Sequence, residues 1–573
     1  MAFWVVLFFS IFQVAADETQ ICPHILAKGT LRLNANEKML VCGSDRGPEG
    51  WREIPIPQAQ LELKLILQNL GYFNPQFERQ GEQLLVWPGL QTLVKTLEVS
   101  GSEGLLDPDK KRKIVNAPLI PGKLDEVNSW ANIKVRSAGY ACPEIKVTGS
   151  VPERAIQTEI YLDSKKNYGP LETDGLSGLH PSVLDRYQPF YEGDPYNVIE
   201  TQIMTSRMLS DGLFQSASLS TECSEDKALL KLLTSIGKPR ILRFGVGGST
   251  EEAPFVDLSF KNAQLDKRAS SVAGSLHGSP RLLRLSIVSE FYLLPRWSRT
   301  FFGPRFKIER KTETAFEVDS AQIGVDLGQH WDAGNIRLNA RVGPTLNKTL
   351  TRRGVGPEEA QYPTFEGSLS VMNHVYETSI RDQYEGWNGS FAYRGQRKGL
   401  GSKVDVNHYE FNYKYLWNIG AYSPPLFVLA NRLEGVVVDA DDIEQTETRT
   451  LIPVEDRIYM GGDQNLRGFP RASLNNRDLG YLTSLYLGLE LRLIAELPYR
   501  LEPFLLFDSA RFGDRRYTLD RPLFLSEGGG LRWASPVGTF RLSAARGRVI
   551  HKMAEMPSYP EQWVYFFSFG QEF

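Results

Sequence analysis

The sequence predicts a transmembrane antiparallel β-barrel of about 16 strands that follows three small β-α-α-β-β modules. The first reason is an alternation of apolar and polar residues, with a period of two, from about residue 240 to the carboxyl end, as in strands with one apolar face. The second is a helix-and-strand unit that recurs three times before residue 240, since repeats of this size mark separate modules. The third is that no run of 18 apolar residues follows residue 16, which argues against helical membrane spans.

The first 16 residues, MAFWVVLFFSIFQVAA, are predicted to be a cleaved signal peptide. They are apolar and end in the small residues of Val14-Ala15-Ala16, which suit signal peptidase. No basic residue follows the amino terminus, but the short length favours a signal over a membrane anchor. We therefore expect an exported protein.

Residues 17–89, 90–167 and 168–236 are expected to form the three modules. In each, a helix is followed by a glycine, an aromatic residue and a strand: Leu-Gly-Tyr-Phe at 70–73, Ala-Gly-Tyr at 138–140 and Asp-Gly-Leu-Phe at 211–214. The first predicted helix, 58–70, ends at Gly71, a suitable carboxyl-terminal stop. A later helix, 196–210, is followed by a strand at 214–220.

Three segments of the region 237–573 show the barrel pattern most clearly. Their apolar rows are Leu485, Leu487, Leu489, Leu491 and Leu493; Tyr409, Phe411, Tyr413, Tyr415, Trp417 and Ile419; and Leu283, Leu285, Ile287, Phe291 and Leu293. A soluble sandwich would also alternate, but charged polar faces and aromatic-rich apolar faces favour lipid outside and water inside. About 20 residues for each strand with its connection give about 16 strands, an even number as such barrels usually have.

Composition excludes several function classes. The formal net charge of −3 gives no support to a nucleic-acid partner. The four cysteines form no CxxC pair and the seven histidines are scattered, so no metal site or cofactor is expected. Gly245 to Thr250 is glycine-rich but lacks a phosphate-binding lysine, and GxSxG and HExxH are absent. An enzyme is therefore not expected.

The even number of cysteines suggests disulfides in an exported chain. Cys22 with Cys42 is the favoured pair, because the residues between them can form a hairpin. Cys142 with Cys223 is the remaining pair.

The segment Ile458 to Phe469, IYMGGDQNLRGF, is predicted to be a functional loop between two alternating segments. Its Arg467 has a planar fork that suits a bidentate carboxylate partner. Glu490 falls on the polar face of its segment, hence towards the lumen, where an infolded loop would arrive. Asp508 can supply a second carboxylate, although its neighbours leave its face less certain. A solvated loop cation is the alternative reading of Arg467.

These residues resemble the BamA/TamA superfamily of outer-membrane assembly and secretion barrels. The loop motif resembles the sixth loop of such barrels, and Gly488-Leu-Glu490 and Leu506-Phe-Asp508 resemble the strand motifs that receive it. The modules resemble POTRA domains, with Pro189 to Tyr196 similar to their helical signature. Ala510 departs from the family, in which a glycine is usual. The resemblance implies an internal latch formed by Arg467, Gly468, Phe469, Glu490 and Asp508.

The first strand, Arg240 to Gly248, and the last, Trp563 to Phe573, must pair to close the barrel. Glycines in both strands weaken ordinary strand pairing, and curvature-forming bulges are the structural alternative. The family resemblance favours a lateral gate between the two strands. The gate residues expected are Leu242, Phe244 and Val246 on the first strand, with Tyr565, Phe567, Phe569, Gly570 and Phe573 on the last.

By this resemblance, the protein is expected in a bacterial outer membrane, with its amino-terminal modules in the periplasm. The implied partners are unfolded, β-rich outer-membrane or secreted clients, a TamB-like protein anchored in the inner membrane, and the lipid bilayer. The alternative is a two-partner secretion translocator that exports one dedicated exoprotein. A passive porin is less favoured, because it would need no periplasmic modules.

Overall fold

The structure is a computed structural model of the chain. It describes residues 18–29, 31–43, 54–101, 104–106, 108–174, 176, 178–252, 254–378, 384–420, 425–440, 449–494, 501–535, 538–550 and 561–569. The predicted signal peptide lies outside these residues. The chain divides into two compact units between Lys166 and Asn167.

The first sheet has four strands and two helices. They are β1 (Glu18–Cys22), β2 (Ile25–Lys28), α1 (Ala35–Cys42), α2 (Ile56–Asn69), β3 (Gln76–Gln80) and β4 (Gln83–Trp87). The strand order is β1-β2-β4-β3, with β2 parallel to β4. Cys22 and Cys42 form a disulfide across a Cα–Cα distance of 5.9 Å, which confirms the favoured pair. The predicted pair of Cys142 with Cys223 stays a prediction.

The second sheet repeats the parallel pair with one antiparallel edge strand. Its elements are β5 (Thr96–Ser100), α3 (Pro108–Ile114), α4 (Pro121–Ser137), β6 (Glu144–Ser150) and β7 (Ala155–Tyr161). The strand order is β5-β7-β6. Val127, Ala131 and Val135 lie on one face of α4 and are buried, because residues three or four apart share a helix face.

The third sheet belongs to the second unit. Its elements are β8 (Asn167–Asp174), a short 3-10 helix (Pro181–Arg186), α5 (Val198–Asp211), β9 (Phe214–Cys223) and β10 (Lys227–Ile236). The order is β8-β10-β9, with β8 parallel to β10. The Asn197 side chain caps α5 by accepting from Ile199 N at 3.0 Å, and Gly212 ends it with φ +78°. The module boundaries proposed from the sequence stay predictions.

Sixteen antiparallel strands close into a barrel, which confirms the predicted fold class. The first eight are β11 (Arg240–Ser249), β12 (Phe255–Asn262), β13 (Ser271–Gly278), β14 (Leu282–Glu290), β15 (Thr300–Thr312), β16 (Glu317–Ala333), β17 (Ile336–Arg353) and β18 (Glu359–Asn373). Helix α6 (His374–Thr378) comes next. The last eight are β19 (Gly386–Gln396), β20 (Val406–Ile419), β21 (Phe427–Ala440), β22 (Thr483–Leu493), β23 (Leu501–Gly513), β24 (Leu523–Ser535), β25 (Gly538–Ile550) and β26 (Trp563–Phe569).

Alternation along the strands separates an apolar outer face from a polar inner face. On β22, Leu485 and Leu491 are exposed on the outside, whereas Tyr486, Glu490 and Arg492 are buried on the inside. This is the parity that the sequence predicts. Within the described part of the chain, no helix is long and apolar enough to cross a membrane.

Candidate functional site

The loop between β21 and β22 folds into the barrel and packs as an internal core. Ile458 and Tyr481 exchange backbone hydrogen bonds of 3.0 and 2.9 Å, and Met460 and Leu474 exchange bonds of 3.1 and 3.0 Å. The loop packs its apolar side chains against the inner faces of β22, β23 and β24. These contacts supply the apolar burial that holds an otherwise irregular segment.

Two glycines shape the loop where it turns towards the wall. Gly461 and Gly462 have φ values of +106° and +119°, a region that side-chain-bearing residues rarely adopt. The Asn465 side chain accepts from Gly461 N at 2.9 Å. Tyr486 on β22 donates to the Asn465 carbonyl at 2.9 Å. These hydrogen bonds therefore fix the conformation of the turn and hold it against β22.

Arg467 is fully buried and joins the loop to two strands. Its Nε and Nη2 donate to the two carboxylate oxygens of Asp508 at 2.9 and 2.7 Å. Its backbone N–H also donates to Asp508, at 3.1 Å. Its Nη1 donates to Glu490 Oε2 at 2.8 Å. Asp508 thus receives three hydrogen bonds from Arg467 and Glu490 receives one, so both carboxylates expected from the sequence lie against this arginine.

The face of β23 on which Asp508 lies, which the sequence left uncertain, is the inward one. Leu506 and Ala510 share its inward face and are buried, whereas Leu505 and Phe507 point outward and are exposed. The apolar neighbours of Asp508 pack within the barrel, against the loop and the neighbouring strands. Ala510, which departs from the family pattern, belongs to the cluster that also holds Leu466 and Phe469 of the loop.

Glu490 receives two further guanidinium groups. Arg541 Nη2 donates to it at 2.6 Å and Arg492 Nε donates at 2.8 Å. Three cations therefore share the two carboxylates of Glu490 and Asp508. Such a buried group depends on complete pairing, because removing one member leaves an uncompensated charge.

Gly468 and Phe469 bring the loop against β24 and β25. Gly468 N donates to Ser526 Oγ at 2.9 Å, and a Cβ on Gly468 would clash with the Gly547 backbone. The Phe469 ring meets the Phe524 ring edge-on, with centroids 5.7 Å apart. The structure therefore brings all five predicted latch residues to one wall of the barrel.

The loop has a second attachment on strand β19. Asp456 is buried, and its carboxylate accepts from Gln396 Nε2 at 3.0 Å and pairs with Arg394 at 2.9 Å. The loop is therefore held at two separated parts of the wall.

A third attachment reaches the first strand. Arg471 pairs bidentately with Glu313 at 2.7 and 3.0 Å and lies 3.8 Å from Glu251. Glu251 follows β11 directly and turns inward, where a Cβ on Gly462 would lie only 2.6 Å from its carboxylate. Burial raises the pKa of Glu251 to about 7.

The seam between β11 and β26 is short within the described residues. Gly248 pairs with Phe569 and Ser249 with Ser568, whereas β11 and β12 pair through eight residues. Thr250 N adds a bond to the Phe567 carbonyl at 2.9 Å. Beyond it the chain turns inward at Glu251, so Trp563 to Phe566 of β26 have no described strand partner on that side.

The predicted gate residues line the outer face of this seam. Leu242, Phe244 and Val246 are exposed on β11, and Tyr565 and Phe567 are exposed on β26. Phe569 stacks on Phe540 of β25 with ring centroids 4.4 Å apart. Gly570 and Phe573 lie outside the described residues.

The sequence analysis missed several residues of the site. Arg492 and Tyr486 share the inward face of Glu490 at spacings of two and four, so strand parity could have found them. Arg541 and Ser526 come from other strands and carry no comparable signal. Their contacts depend on strand register, which a sequence does not state.

A membrane-spanning barrel with an inward-folded, ion-paired loop and a short seam is the class that this fold and site define. The Omp85 superfamily domain matches residues 237–573, so the chain belongs to the Omp85 superfamily. Membership in this superfamily indicates an outer-membrane barrel.

Several solved structures match the chain at low sequence identity. BamA from Haemophilus ducreyi lacking POTRA domains 1–3 is 14% identical with a TM-score of 0.50, covering 83% of this chain and 99% of that chain. CdiB from Acinetobacter baumannii is 15% identical with a TM-score of 0.46, covering 90% and 97%. CdiB from Escherichia coli is 11% identical with a TM-score of 0.49, covering 89% and 95%. At 14% identity the likeness to the BamA structure concerns the fold alone.

Proposed function

We propose that this protein is an outer-membrane assembly factor of the TamA type. Its amino-terminal modules receive unfolded β-rich clients, and the seam between β11 and β26 opens sideways to insert or translocate them. The observation that carries this proposal is the seam itself, where Trp563 to Phe566 face no described strand of the closing partner.

An incompletely paired seam favours exchange of strands with a client. Unsatisfied backbone groups in lipid cost several kcal/mol each, and a client strand can satisfy them by adding to the exposed edge. The seam therefore acts as a template that recognises extended backbone rather than a particular sequence.

The internal loop keeps the barrel wall in register while the seam opens. Arg467 ties the loop to β22 and β23, Arg394 ties Asp456 to β19, and Glu251 lies against the loop directly after the gate strand. Opening at the seam is thereby coupled to the loop, whereas the wall opposite stays latched.

The modules offer sheet edges for clients in transit. The order β8-β10-β9 leaves β9 at an edge of the third sheet, and β6 is at an edge of the second. An edge strand can capture an extended chain through its backbone, which suits a carrier of many clients. A TamB-like protein anchored in the inner membrane is the partner proposed for these modules in the periplasm.

Crosslinking from the seam tests the proposal. Tyr565 is replaced by the photocrosslinker p-benzoylphenylalanine, and Phe411 on β20 serves as the matched control because it is also an exposed outer-face aromatic. We expect an unfolded barrel client to crosslink at position 565 during insertion into vesicles and not at 411. Equal crosslinking at both positions contradicts a gate at the seam.

A two-partner secretion translocator gives a different result. It would carry an extended exoprotein through the lumen, so crosslinks would arise from accessible inward residues such as Ser368 and not from Tyr565. Among the described residues that precede α2, α1 is the one helix, and it has eight residues. Two-partner secretion translocators typically carry a plug helix before their modules, and α1 is too short to cross the barrel as such a plug, which favours assembly over secretion.

A further inference from the structure

A groove of about 520 Å³ lies where the third module meets the rim of the barrel. Its barrel side is formed by the start of β15, the end of β16 and the turn before β15. Its module side is formed by Asp185, Gln188 and Tyr191. Both sides belong to the same compact unit.

The floor of the groove is built by Arg299. Its Nε donates to the Asp185 carbonyl at 2.8 Å and its Nη2 donates to the Gln188 carbonyl at 2.6 Å. Its Nη1 pairs with Asp332 at 3.1 Å. Arg299 is therefore committed to joining the module to the barrel.

The outer wall of the groove continues the lipid-facing surface of the barrel. Ile323, Val325 and Leu327 form one exposed row on β16, and this row ends at Trp331. Trp297, which is 63% exposed, stands beside the same end. Tryptophans at the limits of an apolar band mark the level of lipid headgroups.

Arg296 adds a second cation at this level. It lines the groove, is exposed, and forms no ion pair with any residue that the structure describes. A guanidinium can donate two parallel hydrogen bonds to a phosphate, and the neighbouring indole N–H groups can only donate. The residues at the level of the headgroups therefore favour binding of an anionic group. The apolar row of β16 beside them favours binding of an acyl chain.

We propose that this groove binds a phospholipid from the leaflet that faces the amino-terminal modules. The phosphate lies at Arg296 between Trp297 and Trp331, and an acyl chain lies along the Leu327 row. Because Gln188 and Tyr191 complete the groove, the bound lipid fixes the third module against the membrane surface. This inference does not depend on whether the barrel inserts or exports its clients.

Lipid retention by the purified full-length protein tests this site. The protein is delipidated in detergent, titrated with phosphatidylglycerol, and examined by native mass spectrometry. Loss of the charge-assisted hydrogen bonds in Arg296→Gln should weaken binding about tenfold or more, and the double variant Trp297→Ala/Trp331→Ala should weaken it as well. Arg477→Gln is the matched control, since Arg477 is an exposed arginine on the internal loop, away from the lipid-facing wall.

Heat-modifiability on gels verifies that each variant keeps its folded barrel. Inorganic phosphate is added in a separate arm, and we expect it not to displace the lipid. Retention by Arg296→Gln and by the double variant equal to that of Arg477→Gln would overturn the proposal. Displacement by inorganic phosphate alone would overturn it too, because the site would then bind an anion and not a lipid.

Discussion

Arg467 is the residue on which the internal loop depends most. It is fully buried with two carboxylates, and burying charge is tolerated only when the charges are paired and hydrogen-bonded. The contact stabilises the fold only while every buried charge in it is paired. Replacement of Arg467 by Ala leaves Asp508 without the two hydrogen bonds that the guanidinium donates, and Glu490 without one.

Replacing Arg467 by Ala should therefore destabilise the barrel by about 3–5 kcal/mol, as for other broken buried ion pairs. Arg548→Ala is the matched control, since Arg548 forms an exposed pair with Glu527 on the same wall and should cost about 0–1 kcal/mol. Denaturant unfolding of both variants measures the difference. If the two lose the same stability, Arg467 is not a latch.

Glu251 links the loop to the seam and gives it a pH dependence. Its raised pKa, about 7, means that the folded protein holds this proton more tightly than the unfolded chain. The contribution of Glu251 to the stability of the folded barrel is therefore largest below the ordinary glutamate pKa and decreases as the pH rises towards 7. The charged residues that face Glu251 are Arg471, Asp463 and Arg281.

Glu251→Gln should remove this pH dependence. We expect the unfolding temperature of the wild-type barrel to fall between pH 5 and pH 7 more than that of the variant. Glu358→Gln, which changes an exposed carboxylate in another loop, should keep the wild-type dependence. Identical pH profiles for Glu251→Gln and the wild type would exclude Glu251 as its source.

At the scale of elements, α5 is fastened to the barrel by a buried ion cluster. Arg207 donates to Glu377 of α6 at 2.9 Å through both Nε and Nη2, and Nη2 also donates to Asp332 of β16 at 2.8 Å. Burial opposes ionisation of Glu377, but hydrogen bonds from His374 and Arg207 outweigh it and hold its pKa well below the ordinary value. The cluster thus sets the position of the third module.

The pKa of Glu377 is lower in the folded protein than in the unfolded chain. Ionised Glu377 therefore stabilises the contact between α5 and the barrel at pH values above its unfolded pKa, and this stabilisation is lost as the pH falls through its folded pKa. We therefore expect the joint to stay closed at neutral pH and to loosen only in strong acid, whereas Glu377→Gln loosens it at pH 7. Spin-label distances between α5 and β17 measure this. Glu359→Gln, in an exposed pair with Lys348, should leave the distance unchanged; an unchanged distance in Glu377→Gln would contradict the account.

Sequence patterns predict helices and strands better than they predict the contacts between them. The alternation in residues 485–493 correctly directs Glu490 inward, because side chains on a strand follow a strict period of two. The same reasoning is ambiguous at Asp508, since both faces of β23 carry apolar residues. The Arg207 cluster joins residues more than 120 positions apart, and no local pattern indicates such a contact.

At the scale of the whole molecule, the number of strands follows from length and alternation, but the closing register does not. The pairing of Ser249 with Ser568 depends on the tilt and stagger of all sixteen strands. The inward turn at Glu251 depends on a loop more than 200 residues later in the chain. The closing of the barrel and the attachment of the internal loop therefore depend on the whole assembled barrel and not on a local segment of the sequence.

The central claim is that the seam between β11 and β26 opens during client insertion. A disulfide across it tests this most directly, through the double variant Ser249→Cys/Ser568→Cys, whose positions are register partners. The control is Ser275→Cys/Ser286→Cys, a register pair on β13 and β14. Insertion of an unfolded barrel client into vesicles is measured under oxidising conditions and again after reduction. We predict that oxidation stops insertion in the seam variant alone and that reduction restores it; undiminished insertion through an oxidised seam would contradict the account.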